Sequence, residues 1–265
     1  MKRAHRSVQE LDLSLQLRAE AALASLQPAP GARIGDLGCG TGCFSAELAL
    51  RGYRVQCVDV TPANLDALRR MYPDLVERGL LTPIQGDLTA LPLETSALDG
   101  AVCMEVLEHV EDDFAALGEI ARVVRPGGVL TMSVPNRSAP LPLVERMGLD
   151  SVHDRPGPER HVRPGYDDDE LAALISESGF RITAVHGVGG RLYRGIAGVV
   201  SLAHLAYRRG RGQQAWTWAD LERDTTSLPV RAYAAVFPAL LFLARLDRSR
   251  SRAKRSTLVV TATRV

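Results

Sequence analysis

The segment IGDLGCGTG, residues 34–42, joins a short apolar strand to a helix through a turn with glycine at positions 38, 40 and 42. Glycines at alternate positions allow a tight turn in which the backbone can approach a ligand closely. In an open sheet of parallel strands such a turn lies at the carboxyl ends of the strands, where ligands bind. The segment therefore predicts an α/β fold with a ligand site at its first strand-to-helix turn.

The rest of the chain continues to alternate between strands and helices. Strands are predicted at YRVQCVDV, LLTPIQGD, LDGAVCM, VLTMSVP, FRITAVHG and STLVVTATRV, and helices at CFSAELALRG, TPANLDALRRMY, DDFAALGEIARVV and DDDELAALISESG. An amphipathic helix is also predicted over 8–27, and Pro126, Gly127 and Gly128 are expected to stop the helix that precedes them. This alternation is typical of a doubly wound, mostly parallel sheet.

We expect a single domain over residues 1–265, with an N-terminal helix within 1–30. Of the 265 residues, 46% are hydrophobic, which is ample for one large buried core. The alternation pauses at 135–165 and again at 188–255. We interpret both segments as insertions that cover the substrate side of the sheet rather than as separate domains.

Three acidic residues stand at the ends of three successive predicted strands: Asp36, Asp59 and Asp87. The dinucleotide fingerprint GxGxxG would need glycine at 43, where this chain has Cys43. Asp36 places a carboxylate where a pyrophosphate site would avoid negative charge. Asp59 is suited to accept hydrogen bonds from the two hydroxyls of a ribose, and Asp87 from the amine of adenine. The alternative is that Asp59 and Asp87 only start turns.

Four segments together resemble the class I S-adenosylmethionine-dependent methyltransferases of the type 11 small-molecule group. They are DLGCGTG, CVDVTPANL, IQGDLTALPLETSALDGAVCMEVLEHV and EIARVVRPGGVLTMSVPN, and the resemblance covers roughly 30–190. It implies a Rossmann-like, seven-stranded sheet with an antiparallel last strand. It also implies S-adenosylmethionine as cofactor and Cys103 beside it. The cofactor-binding residues that it implies are Asp36, Gly38, Cys39, Gly40, Gly42, Asp59, Val60, Asp87, Leu88, Met104 and Glu105.

The segment CMEVLEHV contains the candidates for catalysis. An oxygen acceptor must lose its proton, and His109, with Glu108 beside it, is the best-placed base. If the segment is helical, Glu105, Glu108 and His109 share one face and are a candidate site for a divalent metal such as Mg²⁺, Mn²⁺ or Zn²⁺. The segment is similar to the E-x-x-E-H residues of the ubiquinone-pathway O-methyltransferases, which bind a divalent ion. A metal site, a metal-free base, a structural role and a substrate-lining role all stay open.

The first insertion supplies further polar side chains in VHDRPGPERHVRPGY. His153, Arg160, His161, Arg163 and Tyr166 are candidates to close over the acceptor, and either histidine could complete a metal shell. The alternative is a solvated polar loop.

Basic charge is concentrated in the second insertion. Residues 188–255 contain 13 Arg and Lys but 4 Asp and Glu, although the whole chain has a net charge of +1. Apolar runs precede the basic ends twice, which predicts either a packed lid, our preferred interpretation, or helices on an anionic membrane. No signal peptide or membrane span is evident, and the four cysteines form no CxxC pair. We therefore expect a cytoplasmic protein, with membrane association as the alternative.

The resemblance implies an S-adenosylmethionine-dependent methyltransferase, and we expect O-methylation of a small or lipid-like hydroxylated acceptor. N- or C-methylation, an RNA methyltransferase and a noncatalytic binding module are the alternatives. A nucleic acid partner is not expected, because the chain has few aromatic residues and no recognisable RNA-binding module.

Overall fold

The computed structural model describes residues 12–140, 160–210, 228–247 and 255–265. The described residues fall into two compact units. The sheet unit takes those within Arg18–Ser138, Val152–His186 and Thr257–Val265, and the helical unit takes those within Met1–Leu17, Ala139–Ser151 and Gly187–Ser256.

The described strands form one seven-stranded sheet in the order β3-β2-β1-β4-β5-β7-β6. Neighbouring pairs from β3 to β5 are parallel, and β7 runs antiparallel to β5. This confirms the predicted doubly wound sheet with an antiparallel last strand. The strands are β1 (Arg33–Leu37), β2 (Arg54–Asp59), β3 (Leu81–Gln85), β4 (Leu98–Met104), β5 (Val124–Pro135), β6 (Phe180–Val188) and β7 (Thr257–Arg264).

The four helices predicted between strands are present, whereas residues 86–97 join β3 to β4 without a helix. The described helices are α1 (Leu13–Ser25), α2 (Cys43–Leu50), α3 (Pro62–Met71), α4 (Pro73–Glu77), α5 (Asp113–Val123), α6 (Asp168–Glu177), α7 (Arg191–Gly210) and α8 (Leu228–Arg245), with a 3₁₀ turn at Leu107–His109. The central strands are buried on both faces, as in Ile34, Leu37 and Ala101, each 0% exposed. The buried central strands therefore form a firm base for the turns that follow their carboxyl ends.

Two local predictions need correction. The helix predicted over 8–27 begins at Leu13 in the described residues, where the Asp12 side chain accepts from the backbone N–H of Ser14 at 2.7 Å; residues 8–11 lie outside the described part. The Pro126-Gly127-Gly128 segment does not stop α5, which already ends at Val123. It lies inside β5, where the pairing with β4 shifts between Leu98 and Gly100, so it forms an irregularity within the strand.

The helical unit has its own small core. Leu13, Phe237 and Leu241 are buried against one another, and Tyr193 and Tyr233 pack on them. α7 and α8 contact each other within this unit. The unit therefore holds one face of α8 against apolar side chains.

Candidate active site

Glycine is present at the three positions of the first turn for different structural reasons. All have positive φ: +79° at Gly38, +54° at Gly40 and +82° at Gly42. A Cβ at Gly38 would collide with a methyl of Val106, and one at Gly42 would lie 2.5 Å from a methyl of Leu68. A Cβ at Gly40 would meet nothing within 4 Å. Packing therefore requires Gly38 and Gly42, whereas Gly40 borders open space into which a ligand can fit.

Asp59 ties this turn to the end of β2. Its buried carboxylate accepts from the backbone N–H of Gly40 at 2.8 Å and from that of Thr61 at 2.8 Å. Asn64 donates to the same side chain at 3.2 Å. The next residue, Val60, is 52% exposed despite its apolar side chain. The edge of β2 thus presents a carboxylate and an apolar surface beside Gly40.

Asp36 lies beneath the turn in β1 and is only 2% exposed. Its carboxylate accepts a hydrogen bond from the Ser45 hydroxyl at 2.5 Å, which links β1 to α2. Burial has the largest effect on the pKa of Asp36 and raises it. The hydrogen bond from Ser45 lowers this pKa, and the charge of Asp59 raises it further, so that the pKa of Asp36 is about 7. Asp36 therefore changes its charge near neutral pH while supporting the turn.

The cysteines around Asp36 are neutral thiols. Burial raises the pKa of Cys57 to about 12, and burial likewise raises the pKa of Cys39 and Cys103 far above the usual range. A thiolate is the reactive form of cysteine, so these side chains act as packing groups at the site.

Asp87 follows β3 on the surface, next to the buried Leu88. One oxygen of Asp87 accepts from both the backbone N–H and the hydroxyl of Thr89, at 2.8 and 2.7 Å. These hydrogen bonds with Thr89 lower the pKa of Asp87. The side chain therefore does start a turn, and it presents a carboxylate that stays ionised.

Glu105 does not belong to a helix. The predicted metal site of Glu105, Glu108 and His109 required a helical segment, and the structure does not provide one at Glu105. Glu105 follows β4 with a φ of +56°, and the 3₁₀ turn begins at Leu107. Its carboxylate accepts from the Ser133 hydroxyl at 3.0 Å and contacts the Arg18 guanidinium at 2.8 Å. Glu105 is thereby held in an ion pair. Met104 lies beside it, half-buried.

The side chain of Glu108 is buried, and no hydrogen bond from the described residues offsets the cost of burying its carboxylate. It is 0% exposed, and neither carboxylate oxygen has a hydrogen-bond partner among the described residues. Burial and, secondarily, the charge of Glu105 raise its pKa well above the usual range. Leaving a buried carboxylate unpaired is costly, so this position favours either a bound proton or a bound cation.

Two imidazoles complete a group around Glu108. Ligand atoms of Glu108, His109 and His161 all lie within 4.8 Å of one another. The two imidazole rings meet edge to face with their centroids 4.7 Å apart. Nδ1 of His109 lies 3.1 Å from the carbonyl oxygen of Arg160, and a proton on Nδ1 leaves the Nε2 lone pair available. One carboxylate and two imidazoles are groups that could hold a divalent metal ion.

Hydrogen bonds fasten residues 160–166 to the segment after β4. The backbone N–H of Val162 donates to the carbonyl of Glu108 at 2.9 Å. Arg163 forms an ion pair with Asp113 and donates to the carbonyls of Val110 and Glu111, each at 2.8 Å. The fully buried Tyr166 donates to Asp113 at 2.8 Å. His161 is therefore placed by a network and not by a solvated loop.

The sequence predicts most of these groups as candidates, but not two of them. His161 is one of the two histidines that it predicts for the site, and His153, the other, lies outside the described residues. The sequence does not predict Arg18 and Ser133, because a lone arginine on an N-terminal helix and a serine in a strand carry no local signal. Their role follows only from their contacts with Glu105.

The chain is similar in sequence to known proteins. The family profile "Methyltransferase domain" matches residues 35–132. An O-methyltransferase of Pyrenophora dematioidea is 35% identical over 161 residues, which are 59% of this chain and 57% of the relative. The ubiquinone biosynthesis O-methyltransferase of Xanthomonas axonopodis pv. citri (strain 306) is 30% identical over 175 residues, which are 65% of this chain and 72% of the relative. The chain thus spans less than two thirds of the fungal relative.

A solved structure with the same fold is that of the [4+2]-cyclase SpnF. It is 18% identical, with a TM-score of 0.60, and the match covers 98% of this chain and 84% of that one. At this identity the likeness concerns the fold alone, since one fold carries many activities.

Proposed function

Because the chain belongs to the class I S-adenosylmethionine-dependent methyltransferases, we propose that it methylates a hydroxyl group of a small or lipid-like acceptor. The observation that carries the proposal is the Glu108, His109 and His161 cluster, which follows the carboxyl end of β4 in the chain. An imidazole and a carboxylate are the groups needed to take the proton of a hydroxyl acceptor. The two relatives described above, from Pyrenophora and Xanthomonas, are named O-methyltransferases, which supports oxygen as the acceptor atom.

The edge formed by β1, β2 and β3 fits the methyl donor. Gly40 borders open space, Asp59 offers a carboxylate for the ribose, and Val60 offers an exposed apolar surface for the adenine. Asp87 is placed for the exocyclic amine. We propose that the other predicted cofactor residues form the walls and support of this site: Asp36, Gly38, Cys39, Gly42, Leu88, Met104 and Glu105. The donor, when bound, supplies a methyl group on a sulfonium whose sulfur leaves as a neutral thioether.

The protein's task is then to align the acceptor and remove its proton. We propose that Nε2 of His109 takes the proton, because the Arg160 carbonyl holds the ring in the required tautomer. The network of Arg163, Asp113 and Tyr166 holds His161 beside it. Alignment and exclusion of water account for the rest of the expected rate enhancement.

A divalent metal fits the same cluster. Glu108, His109 and His161 would hold it, and the proposal is supported by the buried carboxylate of Glu108, which has no hydrogen-bond partner among the described residues. Glu105, a ligand in the predicted Mg²⁺ set, is engaged with Arg18 instead. One oxygen and two imidazole nitrogens suit Zn²⁺ or Mn²⁺ better than Mg²⁺. Such an ion would orient a catechol-like acceptor and lower the pKa of its hydroxyl.

Calorimetric titration with S-adenosylhomocysteine tests the cofactor part. We expect saturable binding to the wild-type protein and at least a tenfold weaker affinity for Asp59→Ala. Absence of binding to the folded wild-type protein would refute the enzyme assignment. Transfer of a labelled methyl group to a panel of catechols, phenols and amines then distinguishes oxygen from nitrogen acceptors.

Co²⁺ is a spectroscopic probe for the metal part, because its visible absorption reports the ligands directly. We expect a bound Co²⁺ spectrum for the wild-type protein, its loss in Glu108→Gln and His161→Ala, and its retention in His186→Ala, which changes an exposed histidine on β6. If exhaustive chelation leaves methyl transfer unchanged and no spectrum forms, His109 acts as a base without metal. The covering role of 135–165 and 188–255 and the cytoplasmic location stay predictions.

A further inference from the structure

The helical unit exposes a continuous apolar stripe on α8. Val236 is 51% exposed, Phe242 58%, Leu243 42% and Leu246 45%. Exposed alanines and a proline fill the spaces between them at helical spacing: Ala232, Ala235, Pro238 and Ala239. An exposed contiguous apolar surface of this kind marks an interaction site more often than a free surface.

The opposite face of α8 is already occupied. Phe237, Leu241 and Ala244 are buried, and the first two form the small core of the helical unit with Leu13. α8 is therefore apolar on two faces. A helix that is apolar all round is normally covered on all sides, so the exposed stripe lacks its partner among the described residues.

The charges around the stripe are cationic. α8 contains no acidic residue, and its exposed Arg231 and Arg245 lie at the two ends of the stripe. α7 also lacks acidic residues and begins with the exposed Arg191. The acid that follows α8, Asp247, has a side chain only 7% exposed, and it is engaged with the backbone N–H of Leu192 and with Arg255. The described surface thus combines apolar side chains with positive charge.

We propose that this face of α8 lies on the surface of an anionic lipid membrane. An interfacial helix buries its apolar face at the boundary between headgroups and acyl chains, while arginines at its margins bind the lipid phosphates. None of the helices in the described residues combines the length and the apolar composition that a membrane span requires. This binding mode goes beyond the proposed methyl transfer and does not depend on it.

A second copy of the chain fits the stripe less well. If two α8 helices packed through it, either antiparallel or parallel, the arginines at the ends of one helix would face arginines of the other. Like charges at such a contact oppose association. An anionic surface satisfies both the apolar stripe and the flanking cations.

Co-sedimentation with vesicles tests the proposal. The wild-type protein should bind vesicles of phosphatidylcholine with about 30% phosphatidylserine at low salt, bind pure phosphatidylcholine at least tenfold more weakly, and dissociate as salt rises. Phe242→Asp should lower the partition at least tenfold. The matched control is Phe114→Asp, since Phe114 is 51% exposed on α5 in the sheet unit, and it should bind like the wild type.

A second variant, in which charge is removed, tests the proposal even if Phe242→Asp does not fold. Arg231→Gln combined with Arg245→Gln retains the stripe and should lose the preference for anionic vesicles at least tenfold. No binding of the wild type at low salt, or an equal loss in Phe114→Asp and Phe242→Asp, would overturn the proposal. So would a lipid-free dimer in analytical ultracentrifugation that Phe242→Asp dissociates, because the stripe would then be a contact between copies.

Discussion

The Arg18 guanidinium on α1 lies 2.8 Å from the carboxylate of Glu105, which directly follows β4. The two side chains are only 13% and 22% exposed, so each is largely withdrawn from water. This ion pair fastens the N-terminal helix to the strand end on which the candidate site is built. It also explains why Glu105 is separate from the group formed by Glu108 and the two histidines.

Removing Arg18 should destabilise the fold, because it leaves a half-buried carboxylate close to Glu108. We expect Arg18→Met to lower the free energy of unfolding by about 1–3 kcal/mol in urea denaturation. Combining it with Glu105→Gln should recover part of the loss in a double-mutant cycle. The control is Arg51→Met, which breaks the exposed pair with Glu47 at 3.2 Å and should cost less than about 1 kcal/mol. Equal costs at the two pairs would contradict this account.

Gly40 should be required for the ligand and not for packing. Gly40→Ala and Gly52→Ala both place a side chain at positive φ, +54° and +92°, with nothing within 4 Å of the new Cβ. Each should cost about 1–2 kcal/mol of stability from backbone strain. In calorimetry, only Gly40→Ala should weaken binding of S-adenosylhomocysteine, by at least tenfold. Unchanged affinity in Gly40→Ala would place the cofactor elsewhere.

Asp36 should make the protein less stable as the pH rises. Its pKa in the folded chain is about 7, whereas an unfolded chain releases the same proton near pH 4. Between these values the folded state holds more protons, so stability falls with rising pH and then levels off. Asp36→Asn removes this effect. It should be more stable than the wild type above pH 7, by up to about 4 kcal/mol, and the difference should shrink toward pH 4.

Asp99→Asn provides a comparison of opposite sign. The backbone N–H of Arg33 and the side chain of Arg125 lower the pKa of Asp99. A lowered carboxylate pKa stabilises the fold above the unfolded pKa, and that contribution is lost as the pH falls through the folded pKa. Asp99→Asn should therefore be less stable than the wild type at pH 7, with the difference shrinking in acid. Urea denaturation measures Asp36→Asn between about pH 4 and 8 and Asp99→Asn from neutral pH down to about pH 2, where the lowered pKa has its effect. Parallel pH curves for Asp36→Asn and the wild type would refute the assignment.

Tyr166 should position the loop that carries His161. Its hydroxyl donates to Asp113 at 2.8 Å and accepts from Arg163 at 3.0 Å in a fully buried place. Tyr166→Phe should cost about 1–3 kcal/mol, because it leaves buried polar groups without a partner. Tyr53→Phe loses only a 3.4 Å hydrogen bond to the Pro28 carbonyl and should cost less than about 0.5 kcal/mol. Thermal unfolding compares the two, and a smaller cost at Tyr166 than at Tyr53 would rule out this role.

Local sequence signals were sufficient for the sheet and for the turn around Gly40. Strand and helix periodicity and glycine spacing act over a few residues, so they can be read without knowing which distant segments meet. The same reasoning is not sufficient at Glu105, because the face predicted for it with Glu108 and His109 requires a helical segment, and Glu105 lies outside the 3₁₀ turn. Its positive φ and its ion pair depend on Arg18 and Ser133, which no local pattern connects to it.

Strand and turn patterns in the sequence are enough to predict that glycines and carboxylates gather at the ends of successive strands, because parallel strands bring those ends to one edge. The tertiary structure selects which of these side chains share a site. Residues 160–166 fold back onto the segment after β4, so His161 joins Glu108 and His109 while Glu105 pairs with Arg18. It also decided which face of α8 is exposed, since hydropathy alone does not distinguish a helix face packed on Leu13 from one left in solvent. Both outcomes depend on contacts between residues far apart in the chain.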